Sequence, residues 1–238
     1  MICFLTSSPC FPDNPALNTA NGFAEEIVRA LPNPCKGLFI ASSPDEPERT
    51  DEFSGHMRHT FSLAGIVFSQ YIVLDRRNGQ NAAALIRNSD FIILAGGHVP
   101  TQNRFFREIG LRELLKDFDG IIMGISAGTM NAADVVYAQP EHSGEAIDPN
   151  YEKFLPGLGL TKTMVCPHYQ MVKNDVLDGL RLFEDITYAD SMGRKFYALP
   201  DGSYLSIKNG KEELRGEAYL IQDGTFRQIT RNGDVIQL

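Results

Sequence analysis

Tryptophan is absent from this sequence of 238 residues, and only four cysteines occur, Cys3, Cys10, Cys35 and Cys166. They have no short paired spacing, which excludes a zinc ribbon and a Cys-x-x-Cys redox motif. Scarce, unpaired thiols fit a reduced compartment, the cytoplasm, where they serve as small core side chains. No apolar run approaches the roughly 20 residues that span a bilayer. Residues 1–12 hold no basic side chain, and Ile2-Cys3-Phe4-Leu5 is too short for the apolar part of a secretion signal, so it reads as a first buried strand. Basic charge is also in deficit. The 22 Lys and Arg against 30 Asp and Glu leave a net charge of -8, and no basic cluster offers nucleic-acid phosphates a site. Repeats, low-complexity tracts and linkers are missing too, so a single domain over 1–238 is expected.

What is present is an ordinary globular composition, 43% hydrophobic and 22% charged, with short apolar runs alternating with helical patterns. That rhythm predicts an α/β fold, a doubly wound, mostly parallel sheet with crossover helices. Strands are expected at 2–6, 38–41, within 66–74, at 91–95 and at 120–125. Helices are expected at 22–31, 51–64, 81–88, 102–109 and 111–117. Residues 138–154, with Pro140, Gly144 and Pro149, read as a loop over a site. From Lys195 onward, Asn209-Gly210, Asp223-Gly224 and Asn232-Gly233 are hairpin signals, which predicts a C-terminal antiparallel extension.

Gly124-Ile125-Ser126-Ala127-Gly128 follows an apolar strand and precedes a helix, the context in which Gly-x-Ser-x-Gly forms a nucleophile elbow. Small flanking residues permit the tight turn, which lifts the Ser126 hydroxyl above the strand end and sets the Ala127 N–H at a helix start, as an oxyanion donor. Gly96-Gly97 at another strand end lets the Gly97 N–H act as the second donor. A packed serine capping that helix is the structural alternative. A hydrolytic serine needs a base. His168, after Met164-Val165-Cys166-Pro167, sits at a strand end and is the best of the five histidines; His98 also follows a strand. His56 and His59 read as surface residues without a third metal ligand, and His142 as a loop residue. For the acid, Asp201 in Leu199-Pro200-Asp201-Gly202 ranks first, although Pro-Asp-Gly is equally good as a plain turn. Glu141, Glu145 and Asp148 in the loop are its rivals.

Taken in order, Ala95-Gly96-Gly97, the Ser126 elbow, Leu155-Pro156-Gly157-Leu158-Gly159-Leu160, Pro167-His168 and Leu199-Pro200-Asp201-Gly202 resemble the peptidase E family of serine peptidases. That family is related to the class I glutamine amidotransferase-like fold, with cyanophycinase a cousin. The resemblance implies a Ser-His-acid mechanism on short peptides, no metal or organic cofactor, and a monomer or homodimer whose partner is a small peptide substrate. Class I glutaminases place their acid two residues after the histidine; here that position is Gln170. Family members acting on aspartyl dipeptides carry an arginine after the nucleophile, whereas 129–137 contains no Lys or Arg, which leaves Arg104, Arg107 and Arg194 as candidates. Hydrolysis of another small amide or ester, and an inactive binding protein on the same fold, are the competing expectations.

Overall fold

The computed structural model describes residues 1–11 and 13–238. Its main sheet has eight strands. Five are parallel, in the spatial order Ile2–Thr6, Ile121–Ile125, Phe91–Leu94, Cys35–Ile40 and Phe68–Leu74. Alternation along these strands sends side chains to two faces. Phe4, Phe39, Ile93 and Met123 pack against Phe23 and Ile27 of helix Phe23–Ala30, and against Met57 and Phe61 of helix Pro47–Leu63. Leu5, Leu38, Ile92 and Ile122 face Ile86 of helix Ala82–Arg87, Phe105 and Phe106 of helix Val99–Glu108, and Leu111. Helices on both faces of a largely parallel sheet make the fold doubly wound.

The antiparallel extension is present. Tyr204–Lys208 pairs with Ile2–Thr6, then Lys211–Arg215 and Val235–Gln237 follow outward. Asn209-Gly210 and Asp223-Gly224 both take positive φ at both positions, the geometry of a two-residue hairpin whose twist suits its strands. Asn232-Gly233 differs. It joins Thr225–Thr230 to Val235–Gln237, which belong to different sheets, so it is a crossover turn and not a hairpin.

Two helices begin earlier than expected, at Pro47 and Val99. Pro47 and Pro100 stand in the first turn, where a missing N–H costs nothing. A second departure matters more for the site. Met164–Cys166 and Lys195–Ala198 pair in parallel in a separate four-stranded sheet with Ala218–Gln222 and Thr225–Thr230. Val165, Leu199 and Ala218 join the core of the main sheet, while Cys166, Phe196 and Ile221 pack with Leu182, Phe183 and Ile186 on the other side.

Candidate active site

Ser126 follows strand Ile121–Ile125 with φ 48 and ψ -107, and helix Ala127–Asn131 begins immediately after it. Such backbone is costly for a residue with a side chain, of order 1–3 kcal/mol, and three contacts hold it. The Ser126 N–H donates to the Thr6 carbonyl at 3.0 Å, the Thr129 hydroxyl donates to the same oxygen at 2.8 Å, and the Met130 N–H donates to the Ser126 carbonyl at 3.0 Å. The flanking glycines are needed. A Cβ on Gly128 would lie 2.3 Å from the Leu94 carbonyl oxygen, and one on Gly124 2.9 Å from the Thr129 backbone.

Gly97, at φ 152, leaves room for nothing larger, since a Cβ there would come 2.4 Å from Ser42 Oγ. Ser42 is itself fixed by donating to the Gly96 carbonyl at 2.6 Å. Among the described residues, neither the Gly97 N–H nor the Ala127 N–H has a backbone or side-chain acceptor. Neither is taken up within the chain, unlike the Ser126 N–H; Gly97 lines the cleft, and Ala127 is buried directly behind Ser126.

His168 and Asp201 come from loops after Met164–Cys166 and Lys195–Ala198 of the smaller sheet, not from the sheet that carries Ser126. One link between the sheets is the Leu199 carbonyl, which accepts the Ser7 hydroxyl at 3.0 Å and the Tyr169 N–H at 3.1 Å. Ser7 directly follows Thr6, the residue that holds Ser126, so the second sheet is docked at the elbow. His168, in left-handed backbone at φ 55, places Nδ1 2.8 Å from Asp201 Oδ1. The His168 side chain is 28% exposed and that of Asp201 14%. Gln170 has a role as well: its amide oxygen accepts the Asp201 N–H at 3.0 Å and steadies the turn that carries the carboxylate.

Ser126, Gly97 and His168 line one cleft of about 810 Å³ together with Glu141, His142 and His98. All three also line an adjoining cavity of about 480 Å³ beside Ser42, Phe53 and His56. Among the described residues no hydrogen bond joins Ser126 Oγ to His168, a contact that hydrolases commonly tighten only with substrate bound. Another cavity, of about 680 Å³, opens at the far end of the strands beside Met1 and Gly120, away from Ser126.

The three rival acids separate. Glu145 is engaged elsewhere. Its Oε1 meets His98 Nε2 at 2.8 Å, and its Oε2 accepts the N–H groups of Glu141 and His142. Burial pushes its carboxyl up, but those donors hold it below the usual carboxylate range. Burial in turn lowers His98 despite the Glu145 charge. Asp148 lines a different hollow with Arg104 and Arg107. Glu141 lines the cleft. It reaches solvent, yet the surrounding walls withdraw enough water to raise it to about 7, with Glu145 adding repulsion and His168 opposing.

Arg104 and Arg107, in that other hollow, and Arg194, stacked over the Phe154 ring at 4.1 Å, are not cleft residues. Arg49 lines the cleft and the adjoining cavity, which its sequence context does not signal; His56 is exposed, as expected, and lines only the adjoining cavity. The thiols of Cys3, Cys35 and Cys166 are buried and pushed up to about 12 by that burial. Among the described residues no cluster of three His, Cys, Asp or Glu side chains could hold a metal ion, and no helix is long and apolar enough to cross a membrane.

Two solved structures share this architecture. A peptidase from an acI-B1 Actinobacterium superposes with a TM-score of 0.66 at 17% identity, covering 100% of this chain and 96% of its own. A putative peptidase E protein from Listeria monocytogenes EGD-e gives 0.61 at 16% identity, covering 96% of this chain and 98% of that one. At such identities the likeness is one of fold, and it makes this an α/β protein of the peptidase E type. No curated protein matches the sequence. The model of peptidase family S51 matches residues 3–215, so the chain belongs to that family and is a serine peptidase.

Proposed function

We propose that the protein is an exopeptidase of short peptides, a dipeptidase in its simplest form, working in the cytoplasm through Ser126, His168 and Asp201. The observation that carries this reading is the 2.8 Å contact of His168 Nδ1 with Asp201 beside the strained Ser126 elbow. An Asp201 acceptor keeps the imidazole proton on Nδ1 and leaves Nε2 as the base. His168 Nε2 takes the Ser126 proton as Oγ attacks the amide carbonyl carbon, and the Gly97 and Ala127 N–H groups hold the oxyanion. The C–N bond then breaks, and the imidazolium gives its proton to the leaving amine. Water, deprotonated by His168, attacks the acyl ester, releasing the acid and restoring the Ser126 hydroxyl. None of these steps calls for a cofactor. The Pro140-Glu141-His142 segment walls the cleft, which supports short substrates over long chains.

The test is fluorophosphonate labelling of the wild type and Ser126→Ala, with turnover of a dipeptide panel, an ester and a cyanophycin-like peptide on both. Labelling and turnover are expected in the wild type and lost in S126A. Equal turnover by the two proteins would overturn the nucleophile assignment.

A further inference from the structure

Three side-chain amides lie in the core beside the Ser126 elbow and take no part in the hydrolytic steps. Gln102 and Asn103, on helix Val99–Glu108, are 0% and 3% exposed, and Asn131, the last residue of helix Ala127–Asn131, is 0% exposed. They form one directed chain. Gln102 Nε2 donates to the Ala95 carbonyl at 2.7 Å, and Gln102 Oε1 accepts Asn131 Nδ2 at 3.0 Å. That Nδ2 also donates to the Val99 carbonyl at 3.2 Å. Asn131 Oδ1 in turn accepts Asn103 Nδ2 at 2.9 Å, and Asn103 Nδ2 donates as well to the Pro156 carbonyl at 3.0 Å. Turning any of the three amides over would set oxygen against oxygen, so each is fixed in orientation.

The chain joins the two elements that carry the oxyanion donors. Ala95 immediately precedes Gly96-Gly97, and Val99 opens the helix that follows them. Asn131 closes the helix that Ala127 opens, a helix of five residues with little hold of its own. Val99, Ala127 and Met130 share one apolar cluster. Apolar packing tolerates a slide of one helix against the other, whereas a satisfied amide chain in a dry core does not. The Leu155-Pro156-Gly157-Leu158-Gly159-Leu160 motif closes the far side. The N–H groups of Leu158, Leu160 and Gly159 donate to the carbonyls of Asn131, Ala132 and Ala133 at 2.9, 2.9 and 3.2 Å, satisfying groups that a helix end leaves free. A Cβ on Gly157 would run into the Asn131 and Ala133 carbonyls.

We propose that Gln102 and Asn131 are positioning residues: their amide bond, backed by Asn103 and the 155–160 segment, sets the spacing of the Gly97 and Ala127 N–H groups and so their grip on the oxyanion. This deepens the hydrolase reading and rests on it.

The experiment measures kcat and KM on a dipeptide, and inhibition by a dipeptide boronate, for the full chain and for Gln102→Met, Asn131→Ser, the double variant and Ile86→Val. Methionine keeps the length of glutamine and serine only shortens asparagine, so a failure of one to fold leaves the other to read. Thermal melts fix a temperature at which the variants are folded. The boronate forms a tetrahedral adduct on Ser126 with an oxygen where the oxyanion would sit. Q102M and N131S should each lower kcat by about 10- to 100-fold with KM within a few-fold of wild type, and weaken the boronate by a like factor. The double variant should lose no more than the larger single, because the two residues act as one unit. I86V, a core truncation outside the amide chain, should lower the melting temperature and keep kcat. Wild-type kcat in folded Q102M or N131S, a loss in KM alone, losses that multiply in the double variant, or an equal loss in I86V would overturn the proposal.

A second readout needs no turnover. In Ser126→Ala protein the amide NMR resonances of both Gly97 and Ala127 should move on adding Q102M or N131S and stay in place on adding I86V; unmoved resonances overturn the spacing role. Should the wild type neither cleave peptides nor bind the boronate while those resonances still move, the hydrolase reading fails and the spacing role stands.

Discussion

Replacing Gly97 by alanine tests the oxyanion donor and the packing that keeps it in place. The added Cβ would meet Ser42 Oγ at 2.4 Å and Ser42 Cβ at 2.8 Å, and Gly97 sits at φ 152. Backbone there is almost reserved for glycine and costs a side-chain residue about 1–3 kcal/mol, while overpacking against Ser42 adds about 1–3 kcal/mol. The single substitution is therefore expected to remove about 2–6 kcal/mol of stability, a large share of an ordinary domain's total. Ser42→Gly alone loses its bond to the Gly96 carbonyl, worth about 1 kcal/mol. In the double variant the clash is gone but the φ strain stays, so the two changes should couple favourably by about 1–3 kcal/mol in a denaturant double-mutant cycle.

Activity separates from stability in the same set. A displaced Gly97 N–H no longer meets the oxyanion, and losing one such donor costs on the order of 10²–10³ in kcat. G97A and the G97A/S42G pair should both show that loss at a temperature where both are folded. S42G alone keeps the glycine at 97 and is expected to lose far less. Additive stabilities would refute the claim that Ser42 reserves position 97 for glycine. Turnover by G97A within a few-fold of wild type would refute the Gly97 donor.

Asp201→Asn should lower kcat by about 10⁴-fold, because an amide cannot hold the imidazole in the productive tautomer. Glu145→Gln should lower it far less, and a larger loss from E145Q than from D201N would move the acid into the loop. The carboxyl of Glu141, raised to about 7, binds its proton more tightly folded than unfolded. Its contribution to stability is therefore greatest below its unfolded value and lost as pH rises through about 7. Thermal melts of Glu141→Gln should consequently gain more over wild type at pH 8 than at pH 5, and a pH-independent difference would refute that account.

Features with a local physical cause were legible in the sequence. Phe91–Leu94 and Ile121–Ile125 are apolar runs that only a sheet covered on both faces could bury. Gly124 and Gly128 announce a turn in which any Cβ meets backbone. Strand partnership has no such local signature. Met164–Cys166 looks like a further strand of the parallel sheet and Lys195–Ala198 like the start of the antiparallel extension, because a short apolar run does not name its neighbour. Their separate sheet follows from a core assembled by distant residues, Leu182, Phe183 and Ile186 packing with Ile221 on one face and the main-sheet core meeting Val165 and Ala218 on the other. The consequence for the site is that His168 and Asp201 reach Ser126 through the docking of one sheet on the other, by the core contacts of Val165, Leu199 and Ala218 and by the Ser7 to Leu199 bond, which no motif records. The place of Arg49 and His56 beside the site was hidden for the same reason. Their helical spacing shows that they share a face with Phe53, but not which way that face turns. The burial of Met57 and Phe61 against the sheet decides it, and the charged end of the cleft is set from the core outward.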